Sequence, residues 1–321
     1  MNKRDELIAV FEDTQKFYSQ DSAALASATA GSRKRTRLYE ADDYPKLPVW
    51  GNPILLWRIA DDPNASLSAQ AAAAHAIQEI ENGAPFGARG YRQEIRVTKH
   101  RTFEAAMKLH EEFPDKKIAV LNFASAMRPG GGVKHGSSAQ EECLCRCSNL
   151  FPTIDRQWLW QKYYIVNRNA QDVRHTDACI YSPDIVICKT DEAIPKRLKE
   201  EEFVFVDVIS CAAPNLSQNP YNKHNPETGQ AKSVSEQELF ELHVKRAQHI
   251  MHVAAANRVD ILVLGAFGCG AFANDPKIVA KAYHEALIGY RSRFDVIEFA
   301  IYCSPGHEEN YDAFSKELAM L

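Results

Sequence analysis

The sequence contains no run of about eighteen apolar residues, the length a helix needs to cross a bilayer. Its N-terminal stretch from Met1 to Tyr18 mixes charged and apolar groups and has no signal-peptide core. The eight cysteines are scattered and include no CxxC pair, which argues for reduced thiols and a cytoplasmic setting. No internal repeat and no low-complexity stretch interrupts the chain. Charge of one sign is not in excess either: 38 Lys and Arg face 42 Asp and Glu, a net of -4. Such a protein is not built to hold a bare phosphate backbone over a broad surface, so direct nucleic-acid binding is not expected. What is present is ordinary for a globule: 321 residues, 45% hydrophobic, with 15 glycines and 15 prolines. That length leaves one large domain or two modest ones.

The first part of the chain differs in texture from the rest. Leu7, Ile8, Val10, Phe11 and Phe17 recur at helical spacing in a segment ending near Tyr18. A polar stretch with the basic cluster Arg33, Lys34, Arg35 and Arg37 follows, then Tyr44-Pro45-Lys46-Leu47-Pro48. The cluster could meet nucleic acid or an acidic ligand; the plainer reading is a solvated loop. Ser66–Asn82 is Ala-rich and stops at Gly83, which predicts a helix. From about Gln93 onward strands and helices alternate. Glu94–Val97, Ile118–Phe123, Phe203–Ile209, Ile261–Leu264 and Val296–Tyr302 read as strands. Phe103–Glu112, Gln140–Leu150, Trp158–Tyr164, Ser235–Asn257, Pro276–Tyr290 and Glu308–Leu321 read as helices. Alternation of this kind predicts an α/β sheet between helices, with ligand at the carboxyl ends of the strands.

Two of the loops there are unusual. After Ile118–Phe123 come Gly130-Gly131-Gly132-Val133, and eight residues past Gly132 stands Gln140-Glu141-Glu142 at the start of a helix. Successive glycines expose backbone N–H groups and permit positive φ, so a ligand can approach the main chain closely. Acidic residues in a first turn also suit the helix dipole, which is a sufficient structural reason for the pair. Neighbours on a helix point about 100° apart, so if both glutamates do chemistry their roles must differ. The dipole favours the ionised form, while burial and an anionic ligand would oppose it. An acid in this position is expected to work only with substrate in place.

The second loop, Gly265-Ala266-Phe267-Gly268-Cys269-Gly270-Ala271-Phe272-Ala273-Asn274-Asp275-Pro276, joins a strand to a helix. Asn274 or Asp275 can cap that helix, with Pro276 in its first turn. A glycine-rich loop at a helix N-terminus is a physical solution for holding phosphate. The spacing is neither the dinucleotide fingerprint nor a P-loop.

Gly130-Gly131-Gly132 followed at this distance by Gln140-Glu141-Glu142 resembles the signature of the poly(ADP-ribose) glycohydrolases. Leu121–Ala126, Leu144-Cys145-Arg146, Asp207–Asn215 and Gly265–Pro276 extend the resemblance to their bacterial-type, microbial branch. It runs over roughly Glu94–Leu321, and more loosely over the N-terminal segment. The resemblance implies a macrodomain-like mixed sheet sandwiched between helices at 93–321, with an N-terminal, mainly helical accessory segment at 1–92. It implies hydrolysis of ribose–ribose bonds in poly(ADP-ribose), mainly from the free end, with ADP-ribose as product and no metal or cofactor. Glu142 then matches the catalytic acid and Glu141 the glutamate that holds ribose hydroxyls. Gly130, Gly131, Gly132, Val133 and Gln140 fall on the first ligand loop and its helix. Gly268, Cys269, Gly270 and Ala271 match the diphosphate loop, Phe272 an aromatic beside the adenosine-distal ribose, and Asn122 a strand-end residue near that ribose or its glutamates. A non-catalytic ADP-ribose reader, or a hydrolase of mono-ADP-ribose on protein or nucleic acid, are the alternatives. A monomer is the default.

Other clusters have plain readings. Cys143 and Cys147 share a helix face while Cys145 points elsewhere, so the three cannot converge on one zinc. His243, His249 and His252 fall on one helix without an evident third ligand. Trp158, Trp160, Tyr163 and Tyr164 read as core or as a lid against it.

Overall fold

The computed structural model describes residues 2–47, 94–221 and 229–321, with scattered residues between 49 and 87. The predicted helix Ser66–Asn82 and the 92/93 boundary fall largely or wholly outside the described residues. Helix α1 (Lys3–Lys16) begins at Asn2, whose side chain accepts from Asp5 N, and buries Leu7, Phe11 and Thr14. A π-turn at Phe17–Asp21 leads into α2 (Ala23–Arg35), capped by Ser22 Oγ on Leu25 N. This corrects the solvated-loop reading: Arg33, Lys34 and Arg35 form the last turn of a helix, where cations complement the dipole. The buried side of α2 is Leu25, Thr29 and Ser32, so its inward stripe is mostly polar.

The strands are β1 (Arg37–Tyr39), β2 (Val49–Trp50), β3 (Phe86–Gly87), β4 (Glu94–Thr98) and β5 (Ile118–Phe123). They continue with β6 (Cys179–Ile187), β7 (Val204–Cys211), β8 (Ile261–Leu264) and β9 (Val296–Ala300). β2 and β3 pair with each other; the other seven form one sheet in the order β1-β6-β7-β5-β8-β9-β4. From β7 to β4 every pair is parallel, whereas β6 runs antiparallel to both β7 and β1. The register sets Val120 of β5 between Val208 and Val263, all three buried. Since β5, β8 and β9 are neighbours and parallel, the loops after them leave the sheet side by side. That is the crevice where open α/β sheets bind ligands.

One face of the sheet packs on α7 (Glu236–Ala256), α8 (Pro276–Tyr290) and α9 (Glu309–Leu318). The other carries α3 (Thr102–Glu112), α4 (Gln140–Cys147) and α5 (Leu150–Ile154), with Phe11 of α1 joining the same core; α6 (Ile165–Ala170) follows α5 before β6. The predicted helix Gln140–Leu150 is thus two helices. The break is at Ser148 and Asn149, where Asn149 Oδ1 accepts from Val186 N of β6 at 2.8 Å and Nδ2 donates to Thr29 Oγ1 of α2 at 2.9 Å. Among the described residues, no helix is long and apolar enough to cross a membrane.

Candidate active site

The paired glutamates open α4, as the sequence predicts, and both are buried. Glu141 Oε2 accepts from Ser125 N at 2.8 Å; Oε1 accepts from Asn122 Nδ2 and Gly130 N, each at 3.3 Å. Burial first, and then the neighbouring Glu142 charge, push its carboxyl up to about 8 against these donors. Glu142 Oε1 accepts from Gly132 N at 2.8 Å, whereas Oε2 is buried with no protein partner among the described residues. The two carboxyls therefore differ as their helix geometry requires. Glu141 is held at both oxygens and Glu142 at one.

The remaining first-loop residues explain how that pair is held. Asn122, fully buried at the end of β5, reaches Ser210 Oγ of β7 at 2.9 Å as well as Glu141. It braces the glutamate from behind. Gln140 gives its amide to the protein: Oε1 accepts from Phe123 N, and Nε2 donates to Leu121 O and Thr102 Oγ1. It thus ties α4 to the strand end. Gly130 and Gly131 have φ of 66° and 52°, which side chains disfavour. A Cβ on Gly130 would press on Phe151 and one on Gly132 on Ser137. Val133 is fully buried in a 3₁₀ turn, so it offers the loop packing and backbone rather than a side chain to ligand.

In the second loop the cap is Asp275, which accepts from Lys277 N at 2.8 Å and Ile278 N at 3.4 Å, with Pro276 following. Asn274 has a different task. Its Nδ2 donates to Pro214 O, Gly268 O and Phe272 O at 2.7–3.1 Å, so its Oδ1 must accept, and His243 Nε2 stands 2.8 Å away to donate. Burial pushes the His243 imidazole down to about 4, which keeps this ring neutral. The brace holds Gly268 (φ 80°) against Ala213, while Gly270 and Ala271 stay exposed and Cys269 and Phe272 are half-buried. Nothing in the sequence pairs residues 243 and 274.

A cavity of about 320 Å³ opens beside this loop, over the ends of β5, β8, β9 and β4. Phe123, Gly268, Gly270, Ala271 and Phe272 line one part, Gln140, Cys143 and Leu144 the flank of α4, and Arg101 and Tyr302 the far wall. The Arg101 guanidinium stands 4.0 Å over the exposed Tyr302 ring. Sequence reasoning missed this pair, which lies on two loops far apart in the chain. Neither Glu141 nor Glu142 is in the cavity wall. They lie across α4, by the triple glycine. The three histidines of α7 are structural: His249 and His252 hold Asp43 O and Pro45 O, tying the proline-marked segment down.

A mixed sheet between helices, with two glycine loops at its carboxyl edge, defines a macrodomain-like fold. Residues 11–190 match the family model described as microbial-type PARG, catalytic domain. The chain belongs to this microbial-type PARG family. Among solved structures it is similar to the poly(ADP-ribose) glycohydrolase of Thermomonospora curvata, at 26% identity and a TM-score of 0.72, over 98% of this chain and 100% of that one. The same enzyme bound to the inhibitor ADP-HPD aligns at 25% identity and 0.69, covering 98% and 99%. The Deinococcus radiodurans enzyme in complex with ADP-ribose aligns at 30% identity and 0.65, covering 91% and 98%. No curated protein matches the sequence.

Proposed function

We infer that this chain is a poly(ADP-ribose) glycohydrolase, a glycoside hydrolase that releases ADP-ribose from the polymer, mainly from its free end. The observation that carries the reading is the divided environment of Glu142. Gly132 N–H occupies Oε1, so a proton on this carboxyl belongs on Oε2, the buried oxygen with no protein partner. That proton goes to the departing ribose oxygen as the glycosidic bond breaks. The ribose left behind is oxocarbenium-like, and the substrate's own diphosphate, held by the second loop, stabilises it. The Glu142 carboxylate then takes a proton from the attacking water and is ready again. General acid–base catalysis of this kind contributes ~10²–10⁴-fold. Glu141 accepts ribose hydroxyls and fixes the sugar.

The cavity by the second loop suits the adenosine side of the ligand, with the flat Tyr302 ring and Arg101 toward the base. Arg4 of α1 lies against Gly136, on the far side of the first ligand loop. On this reading residues 1–92 are an accessory segment to a catalytic domain at 93–321, its α1 packing on that domain's core and its β1 adding an edge strand to the sheet. The test is Glu142→Gln. Release of ADP-ribose from labelled polymer should vanish while ADP-ribose binding, by calorimetry, stays within a few-fold; retained turnover would sink the assignment.

A further inference from the structure

The basic turn at the end of α2 is not part of the site described above, yet it is not idle on the surface. Thr29 of α2 holds Asn149 Nδ2 at the break between α4 and α5. Arg33 follows Thr29 by four residues and so lies on the same helix face, one turn further on. There it meets the segment after α5. Arg33, Asp155, Arg156, Gln157, Trp158 and Gln161 line one open groove of about 600 Å³. Arg35, by contrast, is spent on Asp184 and Gly31 O.

The chemistry of this groove is specific. Among the described residues neither the Arg33 nor the Arg156 guanidinium has a hydrogen-bond or ion-pair partner, although Asp155 stands next in sequence. Asp155 instead accepts from Trp160 Nε1 at 2.9 Å. Burial, and then the charge of Arg33, push the Arg156 guanidinium down, as two uncompensated cations sharing a groove should. The half-buried Trp158 indole gives the groove an aromatic wall. Two free guanidiniums fit the oxygens of a diphosphate. An indole stacks on a base, whatever its identity. A carboxylate and two glutamine amides suit ribose hydroxyls.

We propose that the groove between the C-terminal turn of α2 and residues 155–161 is a second, non-catalytic subsite that holds an ADP-ribose unit of the polymer away from the cleaved bond. The inference rests on the glycohydrolase reading. Its position favours another unit of the same polymer over a separate nucleic acid. From Glu142 to Arg156 the chain runs through α4 and α5, and helical rise plus short connections limit the span to roughly 30 Å. Such a site keeps the polymer attached between cleavages, so it acts on KM for long chains.

The experiment compares wild type with the Arg33→Ala/Arg156→Ala double variant on a two-unit oligomer and on polymer of several tens of units. Both side chains are unpaired, so the variant should melt with wild type. The expected result is a loss of roughly 5–20-fold in kcat/KM on long polymer, carried by KM, from two screened phosphate contacts. The two-unit oligomer should be cleaved at the wild-type rate, and the double Arg→Lys variant should recover most of the loss. Equal activity of wild type and variant on long polymer would overturn the proposal, as would an equal loss on both substrates. An unstructured DNA oligonucleotide that binds wild type and not the variant, with polymer kinetics unchanged, would also overturn it. A wild-type protein that cleaves neither substrate would instead overturn the glycohydrolase reading itself.

Discussion

Gly131 and Glu142 fit together only because Gly131 has no side chain: a Cβ there would stand 2.6 Å from Glu142 Oε1 and 3.2 Å from Glu141 Oε2. The glycine also has φ of 52°, so its backbone and its emptiness serve the same carboxyls. Gly131→Ala should therefore displace the acid without unfolding the protein. We expect kcat to fall by roughly 100-fold or more, since small misplacements of a reacting group cost that much. Gly289→Ala on α8 is the control, because a Cβ there meets nothing within 4 Å and the residue lies on an exposed helix turn outside the site. Steady-state kinetics on polymer for both variants checks the pair.

Glu141 makes stability depend on pH. Its native carboxyl titrates near 8, while an unfolded glutamate titrates near 4.5. Between those values the native state holds a proton that the unfolded state has released, so unfolding gives up a proton. Stability from this group is complete below about 4.5 and is lost as pH rises through about 8. Glu141→Gln removes the effect. The variant's Tm relative to wild type should climb from pH 5 and level off above about 8, read by thermal melts. A difference that stays flat with pH would contradict the raised carboxyl.

Asn274→Ala should loosen the second loop. The substitution strands three carbonyls and the His243 ring that now share one amide. An unpaired buried polar group costs about 1–3 kcal/mol. We expect a lower denaturant midpoint and an ADP-ribose affinity weaker by about tenfold, the latter measured on the Glu142→Gln background. Asn274→Asp keeps an acceptor for His243 and loses the donor. It should fail nearly as badly.

Phe11→Ala tests whether α1 belongs to the site. Phe11 packs edge-on against Phe151 at 5.1 Å, and Phe151 fills the space over Gly130. Loss of a buried phenylalanine costs about 3–5 kcal/mol, measurable by urea unfolding. Below the melting range kcat should also fall, since the first ligand loop loses its backing. Unchanged kcat with reduced stability would make α1 a structural prop only.

How much of this was legible in the sequence follows from range. The Glu141–Glu142 pair, the glycine loops and the Asp275-Pro276 helix start are local patterns, and each stands where its spacing places it. β6 was missed because Pro183 and Asp184 interrupt its apolar run. Asp184 has φ of 52°, and the register shifts between Ser182 and Ile185, so the strand carries a bulge that breaks its pattern. α2 was missed because its inward side includes Thr29 and Ser32 beside Leu25; Thr29 donates to Leu25 O and accepts from Asn149 Nδ2, so this stripe is held by hydrogen bonds and carries no apolar period. The Asn274–His243 brace and the Arg101–Tyr302 wall join residues that only the folded sheet brings together.

The docking of α1 has a consequence during synthesis. Lys189, almost fully buried, donates to Val10 O and pairs with Asp13, while Thr14 donates to Arg146 O. Helix α1 therefore has no seat until β6 and Lys189, which follows it by two residues, have emerged from the ribosome. Until then Phe11 and Phe151 face solvent, and the first ligand loop lacks its backing. Translation halted before about residue 190 should yield a nascent chain that carries both glutamates but does not cleave polymer, with an apolar face open to chaperones.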